Sequence, residues 1–130
     1  MSTHAYIGIE HADGTVSAVY SHSDGYVEGL GAELVNNYYT RDSAAQLVVG
    51  GDMSYPGRSY VSQGESFADN KPLTNADAEQ FATQNTSNYR YLFSHATNSW
   101  LFMAPGTKHA WTGLARVVNA NSAAWAQLTN

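Results

Sequence analysis

The chain has 130 residues, no cysteine, six Lys and Arg against eleven Asp and Glu, and a formal net charge of −5. That length suits one domain over residues 1–130, and without cysteine there is no disulfide, thiolate metal site or cysteine nucleophile. Six dispersed cations are too few to neutralise a phosphate backbone, which argues against direct nucleic-acid binding, and no apolar run approaches the ~18 residues of a membrane span.

The opening "MSTHAYIGIE" has no basic region followed by a long apolar run, so the expected location is the cytoplasm, with no membrane contact. "AYIGIE" and "TVSAVYSH" then flank "HADGT", and Asp13-Gly14 is the dipeptide of a tight hairpin turn. Ile7 and Ile9 share one face of the first strand, and Val16, Ala18 and Tyr20 share one of the second. After Gly25 the period lengthens. Leu30, Leu34 and Tyr38, with Val27 and Val35, form the stripe of an amphipathic helix from about Val27 to Tyr39. Thr40 offers an N-cap to a second helix through "RDSAAQLVVGG", with Leu47 and Val48 facing inward and the glycine pair ending it.

"DMSYPGRSYVSQGESFADNKPL" carries turn formers and little period, and reads as a long loop with one short strand around Ser59 to Ser62. Thr74 followed by Asp77 resembles a capping box that opens a third helix and buries Phe81. "NYRYLFS" and "SWLFMA" around "HATN" form a second hairpin, in which Tyr89, Tyr91 and Phe93 line one side, with Trp100 and Phe102 as cross-strand partners. In the tail, "LARVV" suits a strand or a helix, and "NSAAWAQL" suits a final helix capped by Asn121 or Ser122. The resulting expectation is an α+β fold: an antiparallel sheet built from two β-hairpins, with two to four helices packed on one face.

Chemistry concentrates in "SHSDGYVEGLGAELV". His22, Asp24 and Glu28 with Gly25, Gly29 and Gly31 are a candidate ligand-binding corner, and the cations Arg58, Lys71 and Arg90 are candidate partners for phosphates. A structural reading competes: Asp24-Gly25 makes a turn, Glu28 complements a helix N-terminus, and the glycines allow close packing. A metal at His22 and Asp24 lacks a third ligand, so no metal or other cofactor is assigned. No dinucleotide fingerprint, phosphate loop or nucleophile elbow is present, and no catalytic residue is assigned. His4, His11, His95 and His109 are scattered and read as solvated polar residues. Nine tyrosines and three tryptophans exceed what so small a core readily buries, and Tyr55, Tyr60, Trp111 and Trp125 are candidate partner-binding anchors.

The string Tyr20-Ser21-His22-Ser23-Asp24-Gly25-Tyr26, followed by Gly51-Asp52-Met53-Ser54, resembles that of small accessory proteins encoded by tailed bacteriophages. Those proteins place a Tyr-x-His-x-Asp-Gly-Tyr string after an N-terminal hairpin. The likeness covers about the first 55 residues, with a weaker echo in "YRYLFSHATNSWLFM". Ser21 and Ser23 stand where that group often has Cys and Trp, and Val27 where it often has Pro.

The resemblance implies a phage product acting in the bacterial host cell. The leading expectation is a non-enzymatic binding protein that inhibits an anti-phage defence system, such as a CRISPR effector, by contact with a host protein complex. Two alternatives stand beside it: sequestration of a small defence nucleotide, and a metal-assisted hydrolase using His22 and Asp24. Unblocked hairpin edges favour a homodimer.

Overall fold

Ala5, Ile7 and Ile9 alternate with Tyr6, Gly8 and Glu10, so the first strand presents two different faces. In the computed structural model, which describes residues 3–59, 61–62, 65–66, 71–107 and 110–119, this strand, β1 (Ala5–Glu10), pairs antiparallel with β2 (Val16–Ser21). Ala5 lies opposite Ser21 and Glu10 opposite Val16. Gly14, not Asp13, takes the left-handed conformation (φ 89°), and its N–H donates to the His11 carbonyl at 2.9 Å. The Asp13 carboxylate accepts from both the amide and the hydroxyl of Thr15, which holds its pKa below the usual carboxylate value. The hairpin therefore closes over Ala12, Asp13 and Gly14, one residue more than the Asp13-Gly14 pair alone.

Beyond β2 the expected first helix begins as a π-type turn, Val27–Gly31, and continues as α1 (Ala32–Asn37). Thr40 caps α2 (Arg41–Val49) as expected, with Thr40 and Ser43 satisfying each other's backbone amides. The stretch expected to be a loop instead holds β3 (Met53–Tyr55), β4 (Arg58–Ser59), β5 (Val61–Ser62), β6 (Glu65–Ser66) and β7 (Leu73–Asn75). Helix α3 (Ala78–Gln84) is capped by Asp77, whose carboxylate accepts from the Gln80 amide, while Thr74 is spent in β7. The second hairpin, β8 (Tyr89–Phe93) and β9 (Trp100–Met103), pairs Tyr91 with Phe102 and Phe93 with Trp100. Strand β10 (Thr112–Gly113) leads into helix α4 (114–119), so "LARVV" is helical; "NSAAWAQL" lies outside the described residues.

Two expectations about architecture need correction. The sheet is mixed, in the order β10-β9-β8-β1-β2-β3-β4 with β7 also on β2. β8 joins β1 in parallel, Ala5 opposite Tyr89 and Ile9 opposite Phe93, and β2 meets β3 in parallel at Ser21 and Met53. Both connections cross over through helices, and a crossover returns a strand in the same direction. Nor do the helices share one face. The turn at Val27–Gly31, α1, α2 and α4 pack with Ile7, Ile9, Val19, Tyr91 and Phe93, whereas Phe81 of α3 packs on the opposite side with Val16, Ala18 and Leu92.

Two side chains tie the layers together. Trp100 donates its indole N–H to the Tyr38 carbonyl at 2.7 Å, closing α1 onto β9. Arg90 is fully buried, and its guanidinium donates to the carbonyls of Ala82, Asn88, Ala104 and Thr107. It thereby gathers α3, β8 and the turn after β9 around one cation. Replacing it by Met leaves four carbonyls without that donor, so Arg90→Met is expected to lower unfolding stability by about 3 kcal/mol in a denaturant titration. Ser21 presents the reverse case: its side chain is fully buried, and among the described residues its hydroxyl has no hydrogen-bond partner. Ser21→Ala is therefore expected to raise stability by about 1 kcal/mol in the same assay.

Candidate functional site

The face of the sheet under α3 is only partly covered. By strand alternation this face carries Val16, Ala18, Tyr20 and His22 of β2 and its continuation, and His4, Tyr6 and Gly8 of β1 and the residues before it. α3 seats Phe81 on Val16, Ala18 and Leu92. His4, Tyr6, Tyr20 and His22 lie past that cover, at the open end of the hairpin, and all four are half-buried. Extending the strand register sets His4 opposite His22, and the two rings lie 4.7 Å apart.

One phenol joins the two imidazoles. The Tyr20 oxygen lies 2.8 Å from Nδ1 of His4 and 2.8 Å from Nδ1 of His22. Nδ1 of His4 also lies 2.8 Å from the His22 carbonyl, which only accepts, so this nitrogen carries a proton. Tyr20 then accepts from His4 and donates its own proton to Nδ1 of His22, whose remaining proton sits on Nε2. Burial, and next the charge of the neighbouring His4, push the His22 pKa below the ordinary imidazole value. His22 is accordingly neutral near pH 7, as an accepting Nδ1 requires.

The ring of Tyr20 also forms part of a groove of about 450 Å³, with Tyr6 beside it at 5.5 Å between centroids. Asp52, Asn75, Gln84 and Asn85 bring polar groups to its walls, and Leu73 and Thr74 form part of the rim. The groove exists because β2 changes partner along its outer edge. β7 pairs with Val16–Ala18 and β3 takes over at Ser21. Between them the Tyr20 amide is satisfied by the Asp52 carboxylate at 2.9 Å. Asp52 also lines a more open hollow of about 520 Å³ beside α1 and α2.

The structure separates the residues expected to form the ligand corner. His22 joins the network just described, while Asp24 is exposed, takes a left-handed φ of 53° and meets the Tyr26 hydroxyl at 3.4 Å. Glu28 is exposed in the π-type turn. The amides of Gly29 and Gly31 donate to the Tyr26 carbonyl, and Leu30 donates to Asp24, so these amides close the turn and do not face an anion. Gly25 serves close approach: a Cβ there would stand 2.8 Å from Cβ of Ala5 and 2.9 Å from the carbonyl of His4. Its amide donates to Thr3 and its carbonyl accepts from the buried Tyr91 hydroxyl at 2.7 Å.

Arg90, expected to meet phosphates, is inaccessible for the reason given above, which corrects that assignment. Lys71 is exposed, and Arg58 enters β4 opposite Tyr55. Tyr55 packs half-buried against the larger core, and Trp111 stacks on Phe81 with ring planes 8° apart. Tyr60 and Trp125 lie outside the described residues. Among the described residues, no three His, Cys, Asp or Glu side chains converge on one point.

Sequence reasoning missed His4, Tyr6, Tyr20 and Asp52 as site residues. The available signal was the His-x-Tyr and Tyr-x-His alternation on either side of the first turn. No family model, curated protein or solved structure matches the chain. The helices of the described residues include none long and apolar enough to cross a membrane.

The packing around Gly25 gives a direct test of its role. A methyl group at this corner must displace β1 or the turn, so Gly25→Ala is expected to lower stability by about 2 kcal/mol in a denaturant titration. A glycine needed only by a ligand would tolerate the change without loss.

Proposed function

We propose that the protein is a binding protein whose groove beside Tyr6 and Tyr20 takes a small, uncharged, hydrogen-bonding ligand of the saccharide or nucleoside class. One observation carries this reading. A groove of about 450 Å³ combines two tyrosines with Asp52, Asn75, Gln84 and Asn85, and among the described residues its lining includes no Lys or Arg. Rings give such a ligand an apolar face to stack on, and carboxamides and a carboxylate recognise hydroxyl and amide groups. This reading takes up the uncharged part of the defence nucleotide expected from the sequence.

A second reading keeps the phage resemblance: inhibition of a host defence complex by protein contact. It draws on Leu73, which is 73% exposed at the groove rim and would supply an apolar contact to a partner inserting a side chain there. Capture of one defined host complex by the wild-type protein, lost with Leu73→Asp, would favour this reading over the first.

The test of the first reading is an NMR titration with neutral mono- and disaccharides, nucleosides and the matching nucleoside phosphates. Saturable shifts at Tyr6, Asn75 and Asn85 are expected with at least one neutral ligand. Asn75→Ala should weaken that ligand about tenfold, as for the loss of one good hydrogen bond. A phosphate that binds more tightly than its parent nucleoside, or an absence of saturable shifts throughout, would overturn the proposal.

A further inference from the structure

We propose that His4, Tyr20 and His22 form a binding site for a divalent transition-metal ion, Zn²⁺ in the first instance. Three donor atoms from three side chains already converge: Nδ1 of His4 and Nδ1 of His22 each stand 2.8 Å from the Tyr20 oxygen. A fourth, the His22 carbonyl oxygen, stands 2.8 Å from Nδ1 of His4. Imidazole nitrogens are ordinary Zn²⁺ ligands and take oxygen donors beside them in four-coordinate tetrahedral sites, the oxygens here being the Tyr20 phenolate and the His22 carbonyl. Metal–ligand bonds of about 2.0–2.1 Å require donors roughly 3.3 Å apart in a tetrahedron. The three spacings given above must therefore each open by about half an ångström.

The proton inventory balances simply. The ion takes the place of the phenolic proton, which is released to solvent as Tyr20 becomes a phenolate. Nδ1 of His4 gives up its proton, to Nε2 of the same ring where that atom is bare and to solvent where it already carries one. His22 already presents an unprotonated Nδ1 and changes nothing. At least the phenolic proton is released per ion, and binding strengthens as pH rises. The two histidines are held at this spacing by the backbone itself: they face each other across the end of the β1–β2 ladder, and Gly25 seats the returning chain against the His4 carbonyl. The site is thus prearranged and does not depend on a ligand in the groove.

The test titrates the intact chain with Zn²⁺ by calorimetry and with Co²⁺ by visible absorption, where tetrahedral coordination gives intense bands and octahedral aquo-type binding does not. Saturation at one ion per chain is expected, with tetrahedral-type Co²⁺ bands that Zn²⁺ abolishes. His4→Gln and His22→Gln should each weaken binding by at least about tenfold. Tyr20→Phe should also weaken it and remove the release of one proton, read from the dependence of the heat on buffer. Histidine ¹⁵N spectra of the wild type keep the test decisive should a variant fold poorly: Zn²⁺ should move the Nδ1 signals of His4 and His22 and leave those of His11 and His95 in place. Binding unaffected by the three substitutions, ¹⁵N shifts confined to other histidines, or no saturable binding would overturn the proposal. Neutral-ligand binding in the groove is read separately at Asn75 and Asn85, so either result stands without the other.

Discussion

The register of the β1–β2 hairpin decides what every other part of the molecule meets. With Ala5 opposite Ser21 and Tyr6 opposite Tyr20, Ile7 and Val19 face the layer of α1 and α2, while Gly8 and Ala18 face α3. A slip of one residue would turn each of these side chains to the wrong face of the sheet. The three-residue turn holds the register: Gly14 supplies the positive φ, and Asp13 binds Thr15 on the far side. β1 is also the strand on which β8 docks in parallel, so the second hairpin inherits its position from the first.

That same register explains how much of the fold was legible in the sequence. Period-two alternation and turn residues located both hairpins, and for the second they gave the loop "HATN" and set Trp100 and Phe102 across from Tyr89, Tyr91 and Phe93, a set the structure resolves into Tyr91–Phe102 and Phe93–Trp100. For the first hairpin, a turn of Asp13-Gly14 alone would have set Ala12 against Thr15 and hence His4 against Ser23. The added loop residue moves His4 against His22. Local propensity sees both turns as acceptable, and only packing of the two faces selects between them. The parallel joining of β8 to β1 was hidden for a related reason. Nothing in a short strand records its non-local partner, and the two crossovers depend on how helices of six to nine residues stack across the sheet.

The short strands between Met53 and Asn75 were illegible because two or three residues carry no period. Their positions follow from β2, whose outer edge cannot leave its amides unpaired. β7 takes the first part and β3 the last, and where neither reaches, the Asp52 carboxylate accepts the Tyr20 amide. A side chain standing in for a strand leaves a gap in the sheet, and the groove lies at that gap. The candidate site therefore arises from incomplete coverage: α3 is seven residues long and ends before the hairpin does.

The charged groups decide what is left to face the groove. Arg90, the cation that sequence alone would offer to a phosphate, sits fully buried beneath α3, committed to four backbone carbonyls. Arg41 is likewise engaged, donating to the Glu10 carbonyl and lying 5.4 Å from the centre of the Phe93 ring. Asp52, by contrast, stays at the groove because the Tyr20 amide needs an acceptor there. Structural demands thus bury Arg90 and hold the Asp52 carboxylate at the groove, while Lys71 and Arg116 stay exposed. Under the proposed function, recognition falls to the tyrosine rings and carboxamides, with the imidazole pair bound to Tyr20 at one end.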